Sequence, residues 1–154
     1  MSAAAIDAQA IIDRLGLRPH PEGGHYAETY RHDGTDGRRG ACTAIHYLLQ
    51  AGERSHWHKV DAVEIWAWHG GEALKLSIAP AGGTVTEITL GGDILAGHHP
   101  HAVVPAHAWQ AAEPLGAWTL ASCVVAPAFE FGGFEMAPPG WTPQQTADHY
   151  SREP

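Results

Sequence analysis

SHWHKVDAVEIWAWHGGE, residues 55–72, is the stretch that decides the architecture. It reads as two strands, 54–58 and 63–69, joined by a short turn. Residues i and i+2 of a strand project to one face. His56 and His58 are therefore expected to point together, with Trp57 turned away. Glu64 opens the next strand and is expected beside them. Trp66 and Trp68 share the face of Glu64, so an inward Glu64 brings both indoles inward as walls of a pocket. Two imidazoles and a carboxylate on adjacent strands form a facial set that suits Fe, Mn, Ni or Zn with open positions. The other reading of the same residues is a polar pocket whose histidines hydrogen-bond without metal.

The flanking sequence extends the β pattern. Strands are expected at 25–31, 42–50, 73–79, 84–90, 101–104, 108–113 and 118–126, with turns such as AGG at 81–83 and GGD at 91–93 between them. FEFGGFEM at 129–136 reads as two short strands around Gly132–Gly133. In the 25–31 strand Tyr26, Glu28 and Tyr30 fall on one face, and a carboxylate between two tyrosines argues for a wet pocket or an interface. RPHPEGG at 18–24 reads as a loop, tight at Glu22–Gly23–Gly24. His46 and Tyr47 lie on opposite faces, and the alternation leaves open which points inward. His69 is expected outside, and His98, His99 and His101 in a solvated loop. Ile6, Ile11, Ile12 and Leu15 recur at helical spacing and predict a short helix over 5–15, stopped by Gly16. The chain thus divides into an N-terminal helix (1–17), a barrel (18–137) and a tail (138–154) in which Trp141 can dock.

Composition narrows the function classes. The 154 residues amount to one domain, 44% hydrophobic and 17% charged, which leaves little room for long disordered stretches. Nine Lys and Arg against 17 Asp and Glu give a formal charge of -8, and Lys59 and Lys75 are the two lysines. Such a surface is a poor partner for nucleic acid, whose phosphates need cations. No apolar run approaches the roughly 18–20 residues of a membrane span, and the N-terminus lacks the basic region of a signal peptide. Cys42 and Cys123 read as buried thiols of a cytoplasmic protein.

Residues 52–71 and 97–113 resemble the two motifs of the cupin superfamily. The first would comprise His56, His58, Glu64 and Gly71, and the second Pro105, His107 and Gln110. PEGGHYAETYR at 21–31, WHKVDAVEIW at 57–66 and VPAHAWQAA at 104–112 are similar to a subfamily of small single-domain cupins, a domain of unknown function. The resemblance spans roughly residues 6–141. It implies an all-β fold, the cupin jelly-roll β-barrel (double-stranded β-helix) preceded by a short helix, with a ligand pocket inside and a homodimeric assembly. His107 stands where the second motif has glycine. Gln110 stands where the last metal-binding histidine would be, and a neutral amide is a poor ligand for transition metals.

Likeness to the metal-free nucleotide-sugar epimerases of this superfamily implies catalytic roles for His56 or His58 as base and Tyr26 or Tyr30 as acid. Glu64, Trp66, Trp68, Gln110 and Glu28 would hold the ligand. The expectation is a small-molecule-binding cupin, an isomerase or epimerase acting on a polar sugar- or nucleotide-like metabolite. The alternatives are a binder without chemistry, and a metal-dependent isomerase or dioxygenase with His56, His58 and Glu64 as ligands.

Overall fold

The computed structural model describes residues 7–143. Its helix α1 (Ala8–Leu15) opens on Asp7, whose carboxylate accepts the Gln9 backbone N–H at 3.0 Å, and closes on Gly16 in the left-handed region. Positions 5 and 6 of the expected helix lie outside the described residues. Ala8, Ile12 and Leu17 pack on Leu48, so the helix covers part of one sheet's outer face.

Among the described residues eleven strands follow, in two antiparallel sheets. One has the order β1 (Arg18–Pro19), β2 (His25–Arg31), β3 (Thr43–Gln50), β10 (Trp118–Ala126), β5 (Val63–Gly71), β8 (His101–Val104). The other has the order β11 (Phe134–Met136), β4 (Ser55–Val60), β9 (Trp109–Pro114), β6 (Leu74–Ala79), β7 (Thr86–Leu90). This is the expected jelly roll. Two details differ from the reading of the sequence. The expected 18–24 loop contributes the two residues of β1, paired to Pro19↔His25 and Arg18↔Tyr26. The first of the two expected strands in 129–136 is instead a 3-10 turn over Phe131–Gly133.

Alternation sets the core. Along β10, Thr119, Ala121, Cys123 and Val125 are buried while the residues between them are less so. Tyr47, Leu49, Trp66, Leu74, Leu76 and Ala112 join Ala121 and Cys123 in filling the barrel. The other faces of β4 and β9 carry Trp57 and Trp109, covered by Trp141 with ring centroids at 6.2 and 4.5 Å, so Trp141 does dock. Both cysteines are free. Among the described residues no helix is long and apolar enough to cross a membrane.

Register slips occur where the sequence reads as uninterrupted strand. Ser55 pairs with Ala112 but His58 with Gln110, so β4 carries one extra residue. Glu28 pairs with Ile45 but Tyr30 with Ala44, so β2 carries another at Thr29. An extra residue reverses the faces of everything beyond it.

Candidate functional site

These two bulges decide which side chains meet. In β4, Ser55 and His58 are inward and fully buried, whereas His56 turns out. Its Nε2 sits 3.1 and 3.0 Å from the carbonyl oxygens of Ala137 and Pro138. The expectation that His56 and His58 share a face is therefore corrected. In β2, Tyr26 and Glu28 line the cavity, but past the bulge Arg31 replaces Tyr30, which is 54% exposed. Tyr30 is thus not a candidate acid. Trp66, edge-on to Tyr47 at 5.7 Å, is fully buried in the barrel core and does not line the cavity, so it is not a stacking wall. Trp68 packs against the core, and its indole N–H donates to the Glu72 carbonyl at 3.0 Å, so it is not a wall either. Tyr47 is the inward member of its pair, its hydroxyl donating to the Gly23 carbonyl. His69 lies outside, 2.6 Å from Ser122 Oγ.

The cavity occupies the barrel end where β3 and β5 begin and β4 and β10 end, with a volume of about 70 Å³. Beside Tyr26, Glu28 and Arg31, its polar lining includes His20, Glu22, Thr43, His58, Glu64 and Cys123. Ile45, Val60 and Val125 are apolar walls, and Phe129, Phe131 and Phe134 stand at the mouth.

Glu22 was not among the residues expected here. It sits in the 18–24 loop, which folds onto the β3–β4 region. The Glu22 carbonyl accepts the His56 N–H at 2.9 Å, and a Cβ at Gly23 would overlap the Arg54 carbonyl oxygen. Gly23 and Gly24 both have positive φ, which favours glycine. The signal was present: a carboxylate beside two glycines in a tight loop is a backbone pressed against something. What the sequence did not disclose is that the loop closes on the barrel end.

His58 is held at both nitrogens. Nδ1 lies 2.7 Å from the His56 carbonyl oxygen, and Nε2 lies 3.0 Å from Glu22 Oε2. The carbonyl can only accept, and the Glu22 carboxyl, held below its usual value, is ionised and accepts too, so both nitrogens carry hydrogen and the ring is an imidazolium. Burial disfavours that charge, but Glu22, helped by Glu64 and the His56 carbonyl, outweighs it and lifts His58 to about 9. Burial likewise pushes Glu22 up, and attraction to His58 more than offsets it, leaving the carboxyl below its usual value. His20 is neutral: burial lowers its basicity, and Nδ1 accepts the Glu22 backbone N–H at 3.1 Å.

Glu64 is different. Its Oε2 accepts Gln110 Nε2–H at 2.7 Å, and Gln110 Oε1 accepts the Trp66 indole N–H at 2.8 Å. Trp66 can only donate, so it fixes which way the Gln110 amide points. Burial raises Glu64 to about 7, with His58 pulling down and Glu22 pushing up. Burial also keeps the Cys123 thiol protonated against Glu64.

A divalent ion at His56, His58 and Glu64 does not fit this arrangement. His56 faces away, His58 has no free lone pair, and Glu64 is engaged by an amide donor. Among the described residues no group of three or more His, Cys, Asp or Glu side chains is placed to hold a metal. The turn of the second motif is kept without its glycine: His107 has φ +67°, in the region glycine favours, and its N–H donates to the Val60 carbonyl at 2.8 Å.

Residues 9–137 match the family described as Cupin superfamily (DUF985). Among solved structures, a protein from Shewanella oneidensis is 32% identical, with a TM-score of 0.84 over 92% of this chain and 94% of that one. A protein from Leishmania major is 27% identical, with a TM-score of 0.81 over 96% and 94%. A dTDP sugar isomerase from Desulfovibrio desulfuricans shares the fold at 16% identity, with a TM-score of 0.57 over 80% and 82%. No curated protein matches the chain.

Proposed function

Since the chain belongs to the DUF985 family of the cupin superfamily, we propose that it binds a small polar metabolite at the barrel end and moves a proton on it, as an isomerase or epimerase. The observation that carries this reading is Glu64. It is a buried carboxyl on the cavity wall, held in place by Gln110, that ionises at about 7. A general acid–base works best when its pKa lies near the operating pH. The expected histidine base is replaced in this proposal, because His58 already donates from both nitrogens and has no lone pair to offer.

The step balances without a redox partner. Glu64 takes a proton from a carbon beside the ligand's carbonyl. Tyr26, which also lines the cavity, returns one to the resulting enolate. Both groups then exchange with water, so one C–H bond has been inverted or moved. A water position takes roughly 10–15 Å³, so about 70 Å³ holds roughly five to seven non-hydrogen atoms. A larger sugar- or nucleotide-like ligand would place only its reacting end inside.

The test is deuterium wash-in. Small hydroxy- and amino-carbonyl compounds are incubated in D₂O with wild type and Glu64→Gln and followed by proton NMR. The expected result is label entering one C–H of one compound with wild type, slowed at least 100-fold in the variant. Equal exchange by the variant overturns the role of Glu64. Binding without exchange by wild type turns the reading to a carrier without chemistry.

A further inference from the structure

The charges around the cavity limit what can enter it. Arg31 is spent: Nε and Nη2 donate to the two Glu28 oxygens, each at 2.9 Å, and Nη1 donates to the Phe129 carbonyl at 3.0 Å. His58 is spent in the same sense, on Glu22 and on backbone. His20 is uncharged, so among the described residues no cation lining the cavity is left to receive a phosphate or carboxylate. Glu22 and Glu28 are each neutralised by these partners. Glu64 is not: among the described residues it has an amide and a thiol donor but no ion pair. Once ionised, it leaves one negative charge uncompensated in a buried space, which is costly unless something positive enters.

The mouth fits the same kind of guest. Phe129, Phe131 and Phe134 stand at steep angles to one another, 83°, 81° and 65°, with centroids 5.1–6.3 Å apart. Such a cluster offers ring faces in several directions, and ring faces attract cations. Building on the acid–base pocket proposed above, we propose that the ligand is a small organic ammonium compound of about five to seven non-hydrogen atoms. Its nitrogen pairs with Glu64, and its alkyl part lies against the phenylalanines. By the same accounting a phosphate or carboxylate group is kept out of the cavity itself.

The ligand also reports on its own binding. Glu64 is about half protonated at pH 7, and a bound cation favours its ionised form. Binding the cation thus releases a fraction of a proton. The groups facing Glu64 are His58 and Glu22, whose charges oppose each other, and Cys123, which stays protonated.

Titration calorimetry tests this with tert-butylammonium, tert-butanol and pivalate, which share one apolar body and differ in charge. Each is titrated at pH 7 into wild type, Glu64→Gln and Phe131→Ala, in two buffers of different ionisation enthalpy. Phe131 is 61% exposed, so its truncation leaves the fold intact. The expected result is ammonium binding at least tenfold tighter than the alcohol, no detectable pivalate binding, and a buffer-dependent heat from proton release. Glu64→Gln should lose both the preference and the release, and Phe131→Ala should weaken the ammonium several-fold. If the alcohol or pivalate binds as tightly as the ammonium, the ammonium assignment falls while the acid–base pocket stands. If none of the three binds wild type, the ammonium assignment falls, and the acid–base pocket is judged by the deuterium wash-in alone.

Discussion

Replacing Glu22 by Gln removes the counter-charge of His58 while keeping nearly the same shape. In the folded protein His58 ionises at about 9, against 6.5 for an unperturbed imidazole. The folded value is the higher one, so its contribution is fully present below pH 6.5. It is lost as the pH rises through 9. Glu64 acts in a neighbouring window. Its folded value of about 7 exceeds the unfolded 4.5, so it erodes stability between pH 4.5 and 7 and adds no slope above that. The interval from pH 7 to 9 therefore isolates His58, and at 1.36 kcal/mol per unit it amounts to about 3 kcal/mol. In Glu22→Gln the buried ring loses its reason to be charged and is neutral at pH 7. The variant should be about 3 kcal/mol less stable than wild type near pH 6.5, the cost expected for breaking a buried pair. Its stability should be flat from pH 7 to 9, and the gap should close by pH 10. Urea denaturation at half-unit steps measures both curves, and long-range ¹⁵N NMR of the ring shows whether both nitrogens carry hydrogen at pH 7. Parallel pH profiles for the two proteins, or a neutral tautomer of His58 in wild type, would refute the assignment.

Glu64→Gln should abolish deuterium wash-in and also stabilise the fold by about 2–3 kcal/mol at pH 8, because it removes a buried carboxylate that pays to ionise; denaturation at pH 5 and pH 8 should show the gain only at the higher pH. Gln110→Ala strands the Trp66 indole N–H and opens a cavity, so a loss of about 2–4 kcal/mol is expected. It also removes the bond that lowers Glu64, whose carboxyl stretch in infrared titration should then move to higher pH. His56→Ala should leave wash-in and ligand binding unchanged and cost roughly 1 kcal/mol, since its bonds tie the 137–138 backbone to β4 outside the cavity. Loss of exchange in that variant would return His56 to the site.

The strands were legible because alternation and turn residues are local signals. β10 reads from WTLASCVVA as it folds, and β8 from HAVV. Glu64 and Gln110 were legible as site residues for the same reason, each lying at an inward position of an unbroken stretch. His56, Tyr30 and Trp68 were not. Nothing in SHWHKV or HYAETYR marks an extra residue, because a bulge is imposed by the partner strand and needs no particular side chain. Trp68 does share the inward face, but it lies too far along β5 to reach the cavity, and alternation gives face without depth. Glu22 and His20 were missed for a third reason. Their loop reaches the site through contacts with residues about 30 positions away, which local pattern cannot register.

Two of these features belong together. The bulge in β4 turns one histidine of the first motif away, and glutamine replaces the histidine of the second. Together they leave one inward imidazole between two buried carboxylates, an arrangement unstable without positive charge. Glu22 closes that gap by holding a proton on His58, so the charge a divalent ion would otherwise bring is carried by a ring cation. A single proton compensates only one carboxylate, and Glu22 takes it through direct contact. Glu64 is left to regulate its own charge, by taking up a proton or a cation from outside. A residue that must do one or the other near pH 7 is suited to proton transfer, and that follows from its place beside a pair that already neutralises itself.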